Sequence, residues 1–186
     1  MKKTSRRHPA AFTLIELMAV ITIIVILAGL VVGGMGYVNE KQARDKAKVQ
    51  IQLLSKALED YKMDNGTYPA TGNASDPTAN TNLLFKALYW DGASDTTGAK
   101  KIYVPELDPV NNKQGWINGT GQAATIIDPW GNQYRYRTAV NATGAANSHS
   151  QNPDFDLWSA GKDGKTRAGS GDSPTHADNR DDIRNF

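Results

Sequence analysis

The chain has 186 residues, no cysteine and a formal net charge of +2 at pH 7. This length accommodates one modest domain beside any membrane segment, and the absence of cysteine excludes a fold held by disulfides. Four of the 21 Lys and Arg residues precede Phe12, which leaves 17 against 19 Asp and Glu residues. No basic stripe interleaved with aromatic residues follows, so the composition does not favour a nucleic-acid partner.

The dominant feature is an apolar run from Phe12 to Val32 that contains a single charged residue, Glu16. A helix needs roughly 20 apolar residues to cross the hydrocarbon core of a bilayer, so the run predicts a membrane anchor. The preceding residues Lys2, Lys3, Arg6 and Arg7 would stay in the cytoplasm and direct the remainder outward. A carboxylate within a membrane costs about 2.5–3.5 kcal/mol on insertion scales, so Glu16 calls for a partner.

This region has two other interpretations. A removable secretory signal has an apolar core of only about 7–15 residues, which is shorter than this run, and Gly34-Met35-Gly36 is a weak cleavage site. A plain signal anchor with Glu16 near the membrane interface is also consistent with the residues alone.

The start of the apolar run carries a family resemblance. After a basic leader (residues 1–11) that ends in the small residue Ala11, the sequence Phe12-Thr13-Leu14-Ile15-Glu16-Leu17-Met18 resembles the class III signal of type IV pilins and type II secretion pseudopilins. The resemblance implies cleavage between Ala11 and Phe12 by a prepilin peptidase, followed by methylation of the Phe12 amine. It also implies that Glu16 meets the Phe12 amine of a neighbouring subunit, which would neutralise a buried charge. The family usually has glycine at the position of Ala11.

We expect a transmembrane and assembly helix at residues 12–36 and an amphipathic stem helix at residues 37–63. Glycines at 33, 34 and 36 weaken the junction, which predicts either a bend able to extend when subunits pack or glycines tolerated in a membrane helix. One stem face repeats at helical spacing and should pack on the head: Ala47, Ile51, Leu54, Leu58 and Tyr61. The other side is expected to be exposed: Glu40, Lys41, Arg44, Asp45, Lys46 and Lys48.

Residues 64–186 form the predicted head. Gly66 and Pro69 end the stem helix, and Thr81 or Asn82 is expected to cap a short helix that closes at Trp90-Asp91-Gly92. The segment 103–107 is predicted to be extended.

The clearest strand signal lies in residues 126–137. Asp128-Pro129 and Gly131-Asn132 predict a turn, after which tyrosines alternate with Arg135 and Arg137, as in a strand with one buried face. The next strand is expected at residues 155–160.

Further segments resemble major pseudopilins of type II secretion systems: Tyr61–Pro69, Asp128–Asn132, Asp156–Gly164 and Asp181–Phe186. The resemblance implies an α+β, type IV pilin-like fold with a long N-terminal helix packed on a small antiparallel sheet. It implies a subunit that polymerises with itself into a periplasmic filament, together with minor pseudopilins, an inner-membrane platform and a secretion ATPase. The alternatives are a surface type IV pilin and a monomeric membrane-anchored binding module.

The C-terminal region is rich in oxygen donors, which Ca²⁺ prefers. Composition alone favours a flexible acidic loop, whereas the resemblance implies a structural calcium ion bound by Asp163 and Asp182, with carbonyls near Leu157 and Ser159 as further ligands. The insertion between residues 165 and 180 is longer than the family's usual link, so Asp178 or Asp181 could substitute.

The sequence contains no nucleophile in a Gly-x-Ser-x-Gly motif. His149 and His176 lack zinc-ligand spacing with another histidine or a cysteine. We therefore expect no catalytic activity.

Overall fold

The computed structural model describes residues 12–72, 77, 80–141, 144–167 and 175–186. Contacts divide the chain into two units, residues 1–41 and residues 42–186. Helix α1, Leu14–Asn65, contributes residues to both.

In the first unit, α1 carries the apolar run. By length and composition this helix is able to cross a membrane, and its apolar segment is not buried. Hydrogen bonding of the helix is unbroken through residues 33–36, as expected where a helix tolerates glycine. Extension of this segment during assembly stays a prediction.

In the second unit, α1 supplies one wall of the hydrophobic core. Ala47, Ile51, Leu54 and Leu58 are buried, which confirms the predicted stem face. The helix ends at Asn65, followed by Gly66 with a φ of +79°. This left-handed conformation favours glycine, so the predicted stop signal is confirmed.

Residues 81–93 are helical throughout: α2, Thr81–Phe85, continues through a π-helical turn, Lys86–Trp90, into α3, Asp91–Ala93. The N-cap position is Asn80 rather than either predicted residue. The side chain of Asn80 makes no cap bond and instead donates to the carbonyl of Tyr136 in the sheet, at 2.9 Å.

The predicted extended segment at 103–107 is wrong in its second half. Pro105–Leu107 form a 3₁₀ turn, with the side chain of Leu107 buried. Proline suits the first position of such a turn because its missing N–H would have no partner there.

Two small antiparallel sheets complete the unit. Strands β1, Ile117–Asn118, and β2, Thr125–Ile126, form one pair. The second sheet has the order β3-β4-β5, comprising Arg135–Thr138, Phe155–Ser159 and Ile183–Arg184. Its register pairs Tyr136 with Leu157 and Ser159 with Ile183. These elements confirm the α+β fold and the strand expected at 155–160.

Both faces of β3 contribute to the interior. Tyr134, just before the strand, and Tyr136 are fully buried, and the Tyr134 hydroxyl donates to Oε1 of buried Gln50 in α1 at 2.6 Å. The prediction that Arg137 faces solvent is wrong, because the side chain is buried against an acidic partner on β4, Asp156.

Candidate processing motif and cation-binding loop

Glu16 takes part in the cap at the N-terminus of α1, through contacts within its own chain. Its Oε2 atom accepts hydrogen bonds from the backbone N–H and the hydroxyl of Thr13, at 2.9 and 2.8 Å. In return, the Glu16 N–H donates to the Thr13 hydroxyl at 3.3 Å. This reciprocal pattern is a capping box, which satisfies N–H groups that have no partner within the helix.

The capping box gives Glu16 a local role beside the assembly role that the resemblance implies. The spacing of Thr13 and Glu16 was a readable signal for it. Phe12 precedes the helix with 86% of its surface exposed. Ala11 and the rest of the leader lie outside the described residues.

At the other end of the chain, the loop after β4 meets the segment before β5. The backbone N–H of Asp163 donates to Oδ2 of Asp181 at 3.1 Å. Asp181 also packs closely against Gly161. A Cβ added at Gly161 would lie 2.5 Å from Oδ2 of Asp181 and 2.6 Å from the Asp181 carbonyl oxygen. Two of the predicted calcium-binding residues, Asp163 and Asp181, are therefore neighbours.

Asp182 lies beside this loop with its side chain fully buried. Its Oδ2 atom accepts hydrogen bonds from the hydroxyl of Thr166 at 2.6 Å and from Arg184 at 2.8 Å. Its Oδ1 atom is buried and has no hydrogen-bond partner among the described residues. Burial raises the pKa of Asp182, although the bonds from Thr166 and Arg184 oppose the rise. A nearby cation would favour the charged carboxylate.

The other predicted ligands have different surroundings. The Ser159 hydroxyl donates to Oδ2 of Asp128 at 2.6 Å, and the Leu157 carbonyl accepts from the Asn185 N–H at 3.1 Å. Oδ2 of Asp178 lies 3.6 Å from Nδ1 of His176. Residues 168–174 of the insertion lie outside the described part of the chain.

The donor set fits a hard cation. Calcium accepts carboxylate and backbone carbonyl oxygens together, and the buried Oδ1 of Asp182 is an oxygen that needs a partner. Within the described residues, no three Asp, Glu or His side chains converge on one point. The predicted ligand set, which combines carboxylates with backbone carbonyls, stays a prediction.

Comparison with known proteins agrees with the N-terminal motif and with the resemblance to pseudopilins. Residues 6–32 match the family described as the prokaryotic N-terminal methylation motif, and residues 35–81 match type II secretion system (T2SS), protein G. Type II secretion system core protein G of Escherichia coli (strain K12) is 32% identical over 165 residues, which cover 89% of this chain and 88% of that protein. The chain belongs to the type II secretion system core protein G family.

Other core protein G relatives are equally similar over most of their length. The protein of Pseudomonas aeruginosa is 34% identical over 86% of this chain and 88% of its own length. That of Aeromonas hydrophila is 33% identical, with 86% and 87% covered. The similarity extends from the anchor into the head, so it does not depend on the N-terminal motif alone.

In this member of the core protein G family, sequence reasoning missed the role of Asp128. Its side chain is buried, and its Oδ1 atom accepts hydrogen bonds from the N–H groups of Trp130 and Asn132, at 3.0 and 2.8 Å. Burial raises the pKa of the Asp128 carboxyl against these bonds. The Asp-Pro pair signalled the turn, but only the packing of β4 revealed that Asp128 also reaches Ser159.

Proposed function

We propose that this protein is a major pseudopilin, a non-catalytic subunit that polymerises into the periplasmic filament of a type II secretion system and promotes export of folded proteins. The observation that carries the proposal is the similarity to core protein G relatives over 86–89% of the chain. The apolar part of α1 and the methylation motif support a membrane-anchored subunit.

The proposed assembly step centres on Glu16. Prepilin peptidase would cut after Ala11, and methylation would follow at the new Phe12 amine. In the anchored monomer, Thr13 holds the Glu16 carboxylate through two hydrogen bonds. During assembly, the amine of a neighbouring Phe12 would supply the opposite charge that a carboxylate in low dielectric requires.

The inner membrane would hold the subunit with its N-terminus in the cytoplasm and its head in the periplasm. The proposed partners are further copies of the chain, minor pseudopilins, the platform protein and the secretion ATPase. The basic leader supports this orientation.

The proposal is tested in the host bacterium by deleting the gene and restoring it as wild type or as Glu16→Ala. We expect the wild type to restore both exoprotein secretion and filament formation, and Glu16→Ala to restore neither. Glu106→Ala is the matched control, because Glu106 is an exposed carboxylate in the head. Normal secretion in the deletion strain would contradict the pseudopilin role, and filaments built from Glu16→Ala would contradict the role of the carboxylate.

We also propose a structural calcium ion in the C-terminal loop. Two of the carboxylates of Asp163, Asp181 and Asp182 would provide oxygens, and backbone carbonyls near Leu157 and Ser159 would complete the site. The Oδ1 atom of Asp182, for which the described residues offer no hydrogen-bond partner, and the hydrogen bond from the Asp163 N–H to Asp181 support this proposal. The ion would neutralise carboxylates that otherwise repel one another.

A further inference from the structure

The turn at Asp128–Asn132, between β2 and β3, is braced by its own backbone. The N–H of Asp128 donates to the carbonyl of Asn132 at 2.8 Å, and the N–H of Gly131 donates to the carbonyl of Asp128 at 3.0 Å. Gly131 has a φ of +90°, which favours glycine. The side chains of Asp128 and Asn132 therefore project from a closed turn rather than from a loose loop.

The Asn132 side chain contacts Gly161, the first residue of the tight loop at 161–164, and the Asp128 side chain is linked to Gly161 through Ser159. The Asn132 amide donates from Nδ2 to the Gly161 carbonyl at 2.8 Å. Asp128 accepts from the Ser159 hydroxyl, which itself accepts from the Gly161 N–H at 3.1 Å. The turn thus satisfies both backbone groups of Gly161, one directly and one through Ser159.

The loop is also confined from two sides. Gly161 and Gly164 have φ values of +63° and +67°. An added Cβ at Gly164 would lie 2.8 Å from the Asn132 Oδ1 atom, and one at Gly161 would lie 2.5 Å from Oδ2 of Asp181. Asp163 lies between these glycines, so its position depends on Asn132 on one side and on Asp181 on the other.

We propose that Asn132 is a positioning residue for the cation site: it fixes the 161–164 loop so that Asp163 is held beside Asp181 before an ion binds. This inference rests on the proposed calcium ion. The Asp163 N–H donates to Oδ2 of Asp181 at 3.1 Å, and Oδ1 of Asp163 accepts from the Lys165 N–H at 2.8 Å. The hydrogen bond from Asn132 to Gly161 limits movement of the loop that carries these contacts. Holding ligands in place in advance lowers the ordering cost of binding, and residues that orient metal ligands typically contribute about 10- to 100-fold in affinity.

The experiment is a calcium titration of the full chain in detergent micelles by isothermal calorimetry, with apo-state thermal unfolding followed by tryptophan fluorescence. We expect Asn132→Ala to weaken calcium binding by about 10- to 100-fold, with a much smaller effect on the apo unfolding midpoint. Asn111→Ala is the matched control, because Asn111 is an exposed amide that donates to Asp108. It should bind calcium as the wild type does.

Asn132→Gln, which keeps the amide but moves it by one methylene group, is the second variant and should also bind calcium more weakly than the wild type. Suppose that the wild type binds calcium and that a folded Asn132 variant binds it with equal affinity. The positioning role of Asn132 is then overturned, while the calcium site stands. If the wild type binds no calcium, the calcium site itself is overturned, and the role of Asn132 with it.

Discussion

Arg137 and Asp156 are directly opposite each other in the β3–β4 pair, and Nε of Arg137 donates to Oδ2 of Asp156 at 2.7 Å. The two side chains are only 2% and 0% exposed. The Arg137 guanidinium also lies 5.0 Å from the ring centre of Trp158, and Asp156 accepts the N–H groups of Gln151 and Asn152. A buried ion pair therefore joins the centre of the sheet to the loop that precedes β4.

Removal of one partner of this ion pair should lower the stability of the fold. Asp156→Ala leaves the Arg137 charge buried without its partner, and we expect a loss of about 3–5 kcal/mol in the free energy of unfolding. Chemical denaturation of the full chain in micelles, followed by tryptophan fluorescence, measures the loss.

The double variant Arg137→Met with Asp156→Leu should be less destabilised than Asp156→Ala, because it removes both charges. Lys48→Ala, which breaks an exposed pair with Asp45 in α1, is the control and should cost no more than about 1 kcal/mol. A loss of similar size in Lys48→Ala and Asp156→Ala would contradict the importance of burial.

The mature N-terminus is the second prediction. Mass spectrometry of protein purified from its own membrane should find a chain that begins at N-methylated Phe12, because the motif places a small residue before the cut and phenylalanine after it. Ala11→Glu, which puts a large charged residue at the cut, should accumulate the uncut chain. Recovery of native wild-type protein that retains residues 1–11 would refute the processing step.

Calcium removal is the third prediction. Chelation should lower the unfolding midpoint of the full chain, since an ion that binds only the folded state stabilises it by mass action. The difference between the unfolding midpoints with and without excess calcium should be clear in the wild type and much smaller in Asp163→Asn. Asp45→Asn, which changes an exposed carboxylate on α1, should respond as the wild type does. An identical wild-type midpoint in both conditions would disprove the site.

The loop at Asp95 predicts a pH dependence. Asp95 accepts hydrogen bonds from the hydroxyl and N–H of Thr97 and from the Lys100 N–H. These bonds, with the Thr97 hydroxyl contributing most, lower the pKa of Asp95 to about 2. A carboxyl with a depressed folded pKa contributes stability above its unfolded pKa of about 3.9, and this contribution is lost as the pH falls toward 2.

Asp95→Ala should therefore have a lower unfolding midpoint than the wild type at pH 6, and the gap should narrow between pH 4 and pH 2. Thr97→Val, which removes the hydroxyl but keeps the backbone N–H, should show a smaller gap with the same trend. A gap that stays constant over this pH range would mean that the Asp95 carboxylate does not cause it.

Much of the architecture was predictable because local patterns report it directly. Helical spacing identified the buried face that includes Leu54 and Leu58. The Asp-Pro and Gly-Asn pairs located the turn before β3. The capping box of Thr13 and Glu16 was not predicted, although the spacing of the two residues indicates it. The N-terminal motif and the separated head motifs pointed to the core protein G family before any contact was known.

The failures share a physical cause. Period-two alternation placed Arg137 on the solvent side, but β4 brings Asp156 and Trp158 against it, and a charge becomes tolerable inside once it is paired. Likewise, Thr81 and Asn82 do not cap the short helix, because their side chains donate to the carbonyls of Tyr134 and Gln122.

By itself, the sequence determined which segments are apolar, helical or turn-forming, because these properties depend on neighbours within a few residues. Only the tertiary structure decided that Asn132 and Asp181 confine the loop at 161–164 and that a buried oxygen of Asp182 has no hydrogen-bond partner within the described part of the chain. These residues are distant along the chain, and their contacts exist only once the strands have paired and excluded water.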